Sequence, residues 1–165
     1  MPQSSKIRSP FRGSGHRICA KILQRSITRT QKEHPMPLVR IDLLEGKPPE
    51  YRTRIGQIVY QAMLDVLNVP KNDRFQIIAE HPQAGLQFDR DYLGIHRSDD
   101  CVFLQITLNS GRTVEMKQRF YKAVADGLHE ALKLRREDVF INLVEVSKEN
   151  WSFGNGEAQY ATPPS

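Results

Sequence analysis

Two hydrophobic periodicities alternate along the chain, and their order predicts its secondary structure. A mostly apolar run over Leu38–Leu44 has the composition of a β-strand. Apolar residues then recur three and four positions apart over residues 55–67, which is the pattern of an amphipathic helix. Residues 75–80 have strand character again. The pattern therefore predicts a strand–helix–strand unit, and a parallel return is the expected crossover.

The same order recurs 65 residues later. Residues 101–108 are predicted to form a strand, Val114–Leu132 a helix and Val139–Val146 a strand. Ten of the forty residues from position 41 to position 80 are identical to the residue 65 positions further on, and Gly46 and Asp73 are among them. Because glycine and charged residues match in one phase as well as apolar ones, we infer a duplicated supersecondary unit.

Two such units predict an α/β (α+β) domain with a four-stranded sheet and both helices on one face. The strands read as continuous apolar runs, so the other face is expected to be covered by more protein, most simply by other subunits. Residues 81–100 are expected to form a loop with a short strand at residues 86–88. Residues 150–156 are expected to form a glycine-rich hairpin or cap, and residues 162–165 to fray.

Charge separates the first 36 residues from the rest. They carry eight Lys or Arg and one acidic residue, a net charge of +7, whereas residues 37–165 carry −2. The folded part therefore has no basic excess for binding nucleic acid. No apolar run approaches the roughly 20 residues that span a membrane, so no membrane association is expected.

Three interpretations of residues 1–36 remain open. They have the composition of an organelle transit peptide, they could form a disordered basic arm, or they are absent from the mature protein because translation starts at Met36. The third is favoured, because Met36 and Pro37 directly precede the first strand and a small residue such as proline permits removal of an initiator methionine. The folded domain would then span residues 37–161, with repeat units 37–100 and 101–160.

The cysteines and histidines indicate neither disulfides nor a metal. Cys19 lies in the basic segment and Cys101 at the start of an apolar run, which fits a reducing, cytoplasmic compartment. Cys101 is predicted to be buried rather than nucleophilic. His81 and His96 lack ligand partners at metal spacing, so no metal is expected.

Four motifs occur in a fixed order between Pro37 and about Tyr160, and together they resemble the tautomerase superfamily, in particular the branch that contains malonate semialdehyde decarboxylase. The motifs are Pro37-Leu-Val-Arg-Ile, Val69-Pro-Lys-Asn-Asp-Arg-Phe-Gln, Asn109-Ser-Gly-Arg and Asn150-Trp-Ser-Phe-Gly. The resemblance implies a homotrimer of tandem β-α-β chains that needs no cofactor. It also implies that the amino-terminal proline left after methionine removal, here Pro37, is the catalytic group.

Proline chemistry agrees with that implication. An uncapped Pro37 would be a secondary amine, and α-amino groups titrate near about 7.7–8.0, so modest shifts select a base or an acid at neutral pH. Burial and nearby cations favour the neutral base, whereas a nearby carboxylate favours the ammonium acid. Linked to Met36 as an amide, the same nitrogen can serve neither role. Without the other motifs, Pro37 could simply begin a strand.

The remaining site residues follow from the resemblance and from their chemistry. Arg112 suits a bidentate grip on a substrate carboxylate, although a solvated cation is the alternative. Asp73 matches an aspartate that works with the proline and a water in the resembled decarboxylase. Because Asp138 is its counterpart in the repeat, part of the role of Asp73 is expected to be structural. Trp151 and Phe153 match aromatic positions that line the site, and packing in the core or at a trimer interface is equally open.

One departure from the decarboxylase pattern limits the prediction of the reaction. That pattern has two arginines flanking a proline in the turn where this chain has Asn109 to Arg112 with a single arginine. The prediction is therefore an enzyme that tautomerises, hydrates or decarboxylates small oxo-carboxylic acids. The alternative is a catalytically silent tautomerase-like or ferredoxin-like binding module with a basic arm.

Overall fold

The computed structural model describes residues 36–161, so the expectations for residues 1–35 and for the frayed end at 162–165 lie outside the described part. The predicted order of elements is confirmed within it. The elements are β1 (Leu38–Leu44), α1 (Pro49–Leu67), β2 (Phe75–His81), β3 (Val102–Asn109), α2 (Val114–Leu132) and β4 (Val139–Val146). No helix within this range is long and apolar enough to cross a membrane.

The 65-residue repeat is present in the backbone without a slip in register. Both ends of α1 and α2 differ by 65 positions. Leu38 pairs with Phe75 in the first unit, and Phe103 pairs with Phe140 at the corresponding place in the second, in both cases between parallel strands. The predicted duplication and the parallel return of each unit are therefore confirmed.

The two units join through an antiparallel pairing of β1 with β3, which gives the sheet order β2-β1-β3-β4. Arg40 pairs with Gln105, the residue 65 positions further on, so an approximate twofold axis passes between them. This axis gives the sheet two comparable ends. The proline end holds Pro37 and residues 69–74, 109–112 and 147–160, and the loop end holds residues 44–47, 81–102 and 134–138.

The two faces of the sheet differ in what covers them. The helices pack on one face, and the buried core there consists of alternate β1 and β3 residues together with the apolar stripes of both helices. On the open face, several large apolar side chains are 37–50% exposed, namely Leu38, Phe75, Ile77 and Phe140. Such a cluster on a sheet face marks a contact surface for further protein.

The strand expected at residues 86–88 is absent, and that prediction is wrong. The linker between the repeats instead contains two short 3₁₀ turns, at Gln83–Gly85 and Tyr92–Gly94. The ring of Phe88 packs against Phe103 of β3 with centroids 5.4 Å apart. Phe88 is thus partly covered by side-chain packing on the sheet, without pairing of its backbone to a strand.

The hairpin expected at residues 150–156 is also absent, because no strand follows β4 in the described chain. The alternative, a compact cap, describes the segment better. The Phe153 N–H donates to the side-chain oxygen of Gln159 at 3.0 Å, and the Gln159 amide donates back to the Gly154 carbonyl at 2.8 Å. These side-chain hydrogen bonds replace the backbone ladder that a hairpin would have.

Asp138 attaches the linker to the loop end. Its side chain is fully buried, and its carboxylate accepts hydrogen bonds from the Ser98 N–H at 2.6 Å and the Ser98 hydroxyl at 2.8 Å. The sequence indicated that this repeated aspartate has partly a structural role, and at the second copy, Asp138, the structure shows such a role.

We expect Asp138→Ala to lower the free energy of unfolding by about 2–4 kcal/mol, because both Ser98 donors would stay buried without an acceptor. Urea unfolding measures the change. The matched control is Glu137→Ala in the same turn, where the side chain is 52% exposed and little change is expected. Equal losses for the two variants would show that Asp138 does not secure the linker.

Candidate active site

Pro37 occupies the start of a central strand. It is buried, and it directly precedes Leu38, which pairs with Phe75 on one side and Thr107 on the other. Proline inside a central strand would remove a ladder hydrogen bond, but just before the first paired residue it removes none. The fold therefore accepts proline here and places its ring between the start of β2 and the end of β3.

Arg112 lies in the turn that leaves β3 at the same end of the sheet. The Ser110 N–H and hydroxyl both donate to the Val146 carbonyl, at 3.0 and 3.2 Å, and attach the turn to the end of β4. Gly111 has a φ of 122°, in the region that favours glycine. The partly buried Arg112 guanidinium donates to the Asn109 carbonyl across the turn. A cation is thereby held beside the strand end nearest Pro37.

Asp73 comes from the other neighbour of β1. It lies two residues before β2, is only 7% exposed, and its backbone N–H donates to the Pro70 carbonyl at 3.3 Å. The strand register thus brings Pro37, Asp73 and Arg112 to one end of the sheet, from three segments that are far apart in the sequence.

The aromatic residues form a continuous chain beside Asp73. Trp151 stacks on Phe153 with centroids 5.5 Å apart, and Phe153 meets Tyr160 edge to face at 4.9 Å. Burial and the nearby charge of Asp73 raise the pKa of the Tyr160 phenol to about 12. Trp151 and Phe153 are therefore brought together as the sequence indicated, and Tyr160 links them to Asp73.

Tyr160 is the site residue that sequence reasoning missed. It follows the last recognisable motif, and the residue 65 positions earlier is Ile95, so the repeat does not mark it. The one signal in the sequence was that Tyr160 is an aromatic residue within the region of resemblance, and this signal is weak.

Other chemically capable residues lie away from this cluster. The Arg97 guanidinium donates to the Tyr92 and Ile95 carbonyls within the linker, so it supplies no second cation at the proline end. Cys101 is buried, as predicted, and burial raises the pKa of its thiol to about 11. Within residues 36–161, no three His, Cys, Asp or Glu side chains are grouped so that they could hold a metal ion.

At the loop end, the positions that correspond to the candidate site are occupied by residues of the same chain. Val102, the counterpart of Pro37, is 1% exposed at the start of β3. Lys47, the counterpart of Arg112, forms an ion pair with Asp100 at 2.6 Å. Asp138, the counterpart of Asp73, binds Ser98. Residues of the linker thus occupy the end that corresponds to the candidate site.

Comparison with known proteins identifies the family to which the chain is related. Two family models, each described as "Tautomerase enzyme", match residues 37–94 and 73–154. "Probable tautomerase YusQ" of Bacillus subtilis is 37% identical over 124 residues, which cover 75% of this chain and 98% of the relative.

Solved structures agree as well. The FG41 malonate semialdehyde decarboxylase inhibited by 3-bromopropiolate superposes with a TM-score of 0.69 at 37% identity, over 75% of this chain and 94% of that one. A fused 4-OT wild-type symmetric trimer superposes with a TM-score of 0.62 at 20% identity, over 76% and 99% of the two chains, which shows a shared fold.

We expect the Tyr160 phenol to stay protonated up to about pH 11, because its pKa of about 12 lies above the ordinary tyrosine value near 10. The ¹³Cζ chemical shifts of labelled tyrosines, recorded between pH 9 and 11 and assigned with Tyr160→Phe, measure this directly.

The cause can be tested with Asp73→Asn. Removing the negative charge should lower the pKa of Tyr160 while leaving the contribution of burial. If Tyr160 ionises near pH 10 in the unaltered protein, or if Asp73→Asn leaves its titration in place, Asp73 and Tyr160 do not interact as described.

Proposed function

The chain belongs to the tautomerase superfamily, and from this premise we propose that it is a cofactor-independent enzyme acting on small oxo-carboxylic acids, with the Pro37 nitrogen as its acid–base group. The observation that carries the proposal is the burial of Pro37 at the head of a central strand. The same end of the sheet also holds the guanidinium of Arg112 and the carboxylate of Asp73, which come from separate segments. A buried secondary amine in that setting can transfer a proton to or from carbon.

The proposed role of Pro37 requires a free amine. As a neutral base, its lone pair takes the proton from the carbon next to the substrate carbonyl, and the C–H electrons form the enol double bond as the carbonyl oxygen becomes the enolate. The ammonium then gives this proton to the enolate oxygen, which yields the enol; in the other direction the nitrogen takes the enol O–H proton and delivers it to carbon, which yields the ketone. In an amide with Met36 the lone pair is delocalised into the carbonyl, so this chemistry requires that the mature enzyme begin at Pro37.

Arg112 is proposed to bind the substrate carboxylate. Its planar guanidinium can donate two parallel hydrogen bonds, and this geometry orients the oxo group relative to Pro37. Trp151 and Phe153 would exclude water from one side of the substrate, which strengthens the charge interactions. The Tyr160 hydroxyl remains protonated at neutral pH, so it adds no negative charge beside Asp73.

Asp73 is proposed to decide which reaction follows. A carboxylate near the nitrogen favours the protonated amine, which polarises a carbonyl and, with a water held by Asp73, suits hydration or decarboxylation. Without that influence the neutral amine suits tautomerisation. The 37% identity to a malonate semialdehyde decarboxylase supports keeping decarboxylation among the candidates despite the single arginine.

The open face of the sheet is proposed to be covered by two further copies of the chain. Its exposed apolar residues include Phe75 at 50% and Ile77 at 48%. The shared fold with a trimeric 4-OT protein supports a trimer as the assembly. Phe75 follows Asp73 closely on β2, so such an assembly would also enclose the proline end.

We expect a chain beginning at Pro37 to turn over phenylenolpyruvate or 3-oxopropanoate, and the full chain with Pro37 in a peptide bond to be inactive. Pro37→Ala and Arg112→Ala should each lower kcat/KM by about 10²-fold or more, because the first replaces the rigid secondary amine with a mobile primary amine and the second removes the guanidinium that binds the substrate carboxylate. Steady-state kinetics measure this, and the intact mass of the protein from its own cell shows which form exists.

Further measurements complete the test. 3-Bromopropiolate, which inhibits the FG41 relative, should add mass to the Pro37 peptide only when the amine is free. Asp73→Asn should abolish hydration or decarboxylation but spare tautomerisation. Equal activity of both chain forms would refute amine catalysis, and no turnover by either would favour the binding module.

For the assembly, we expect Ile77→Glu to yield monomers, because a charge would be buried at the proposed interface. Size-exclusion chromatography with light scattering measures the mass. Val114→Glu on α2, where the side chain is 63% exposed on the helical layer, is the matched control and should stay assembled. Dissociation by both variants would place the contact elsewhere.

A further inference from the structure

The repeat places a glutamate at the same point of each unit. Glu80 on β2 and Glu145 on β4 are 65 residues apart, and both point toward the helical layer. Each forms an ion pair with a basic residue of its own helix, Arg52 in α1 and Lys117 in α2, the latter at 2.8 Å. The side chains are 24% and 26% exposed, so the two ion pairs are near-equivalent parts of the frame.

The two glutamates differ in their remaining contacts. One oxygen of Glu80 is bound to Arg52, and the other is buried without a hydrogen-bond partner among residues 36–161. In Glu145 one oxygen is bound to Lys117, and the other accepts a hydrogen bond from the backbone N–H of Arg112 at 3.3 Å, with the N–H of Gly111 close enough to favour the charged carboxylate. Only the second unit therefore uses its glutamate to hold the turn before its helix.

The contact acts on the backbone that carries the cation of the candidate site. Two consecutive N–H groups directed at one carboxylate restrict the orientation of the turn, and charge-assisted hydrogen bonds are the stronger kind. The positive φ of Gly111 is compatible with this arrangement. Lys117 and these N–H groups lower the pKa of Glu145, so the carboxylate stays charged at neutral pH.

We propose that Glu145 is a positioning residue for Arg112: by accepting the Arg112 backbone N–H, it fixes the turn that follows Gly111 so that the guanidinium can bind a carboxylate ligand. The inference rests on the proposed function, in which Arg112 binds the substrate carboxylate. Glu145 does not touch the ligand, and it acts through the turn alone.

The test uses the full chain and malonate, a small carboxylate that can be titrated without turnover. Amide ¹H–¹⁵N spectra follow both the ligand and the Gly111 and Arg112 N–H signals. Glu145→Gln should raise the Kd for malonate about tenfold, the size of one well-placed charge-assisted contact, and should move both amide protons upfield. Glu80→Gln, the matched change in the first repeat, should leave the Kd and both signals unchanged.

A further pair of variants separates positioning from stability. Lys117→Met removes the ion pair but keeps the carboxylate beside the turn, so unfolding should become easier while the Kd stays within twofold. Glu145→Asp keeps the charge but withdraws it from the turn, and it should raise the Kd as Glu145→Gln does. It also serves as the probe should Glu145→Gln fail to fold.

The outcomes distinguish this inference from the proposal it rests on. If Arg112→Ala leaves malonate binding unchanged, Arg112 is not the carboxylate site and the proposed function loses that role. If Arg112→Ala weakens binding while Glu145→Gln and Glu80→Gln behave alike, the site stands and the positioning role of Glu145 is wrong. If Lys117→Met weakens binding as much as Glu145→Gln, the effect belongs to the stability of the unit.

Discussion

The antiparallel pairing of β1 with β3 is the interaction on which the candidate site depends. Each β-α-β unit alone is two parallel strands under one helix, with an unpaired strand edge. Pairing Arg40 with Gln105 joins the units edge to edge and reverses one relative to the other. The reversal brings the start of β1 beside the end of β3, so Pro37 from one repeat and Arg112 from the other can share a site.

The same pairing creates a second, equivalent end that cannot share this chemistry. Proline catalysis needs a terminal amine, and a duplicated chain has one amino terminus for two equivalent positions. Residue 102 lies within the chain, so its nitrogen is an amide whichever side chain it carries. The valine found there contributes to the core, Asp100 forms an ion pair with Lys47, and Ser98 donates hydrogen bonds to Asp138. The linker thus fills the end that carries no acid–base group in the proposed mechanism.

The order of strands and helices could be predicted from the sequence because local hydrophobic periodicity and the repeat both determine it. Helix α2 and strand β4 have the predicted bounds, since their apolar spacing depends on neighbours within the same element. Residues 86–88 were assigned a strand from composition, yet Phe88 gains its burial by packing on Phe103, which no local pattern contains.

The site was predictable only where a motif marked it. Pro37 and Arg112 stand in motifs with fixed surroundings, and both lie at the end of the sheet that the register defines. Tyr160 acquires its role from Asp73, and Glu145 from the Gly111–Arg112 turn, and both contacts join residues that are distant in sequence. The repeat identified Glu145 and Glu80 as equivalent positions. The same residue type at both positions could not show that only Glu145 contacts the backbone of a turn.

In the proposed mechanism, the protonation state of Pro37 follows from a competition between its neighbours. Burial disfavours the ammonium form, and the cation of Arg112 does the same, whereas the carboxylate of Asp73 favours it. Burial first, and then the charge of Asp73, raise the pKa of Tyr160, so this charge acts on groups at this end of the sheet. Because an α-amino group titrates at about 7.7–8.0, the ammonium form dominates slightly at neutral pH, and a downward shift of about one unit makes the neutral amine the dominant form. Small movements of either charged group relative to the nitrogen therefore suffice to exchange base chemistry for acid chemistry on an unchanged fold.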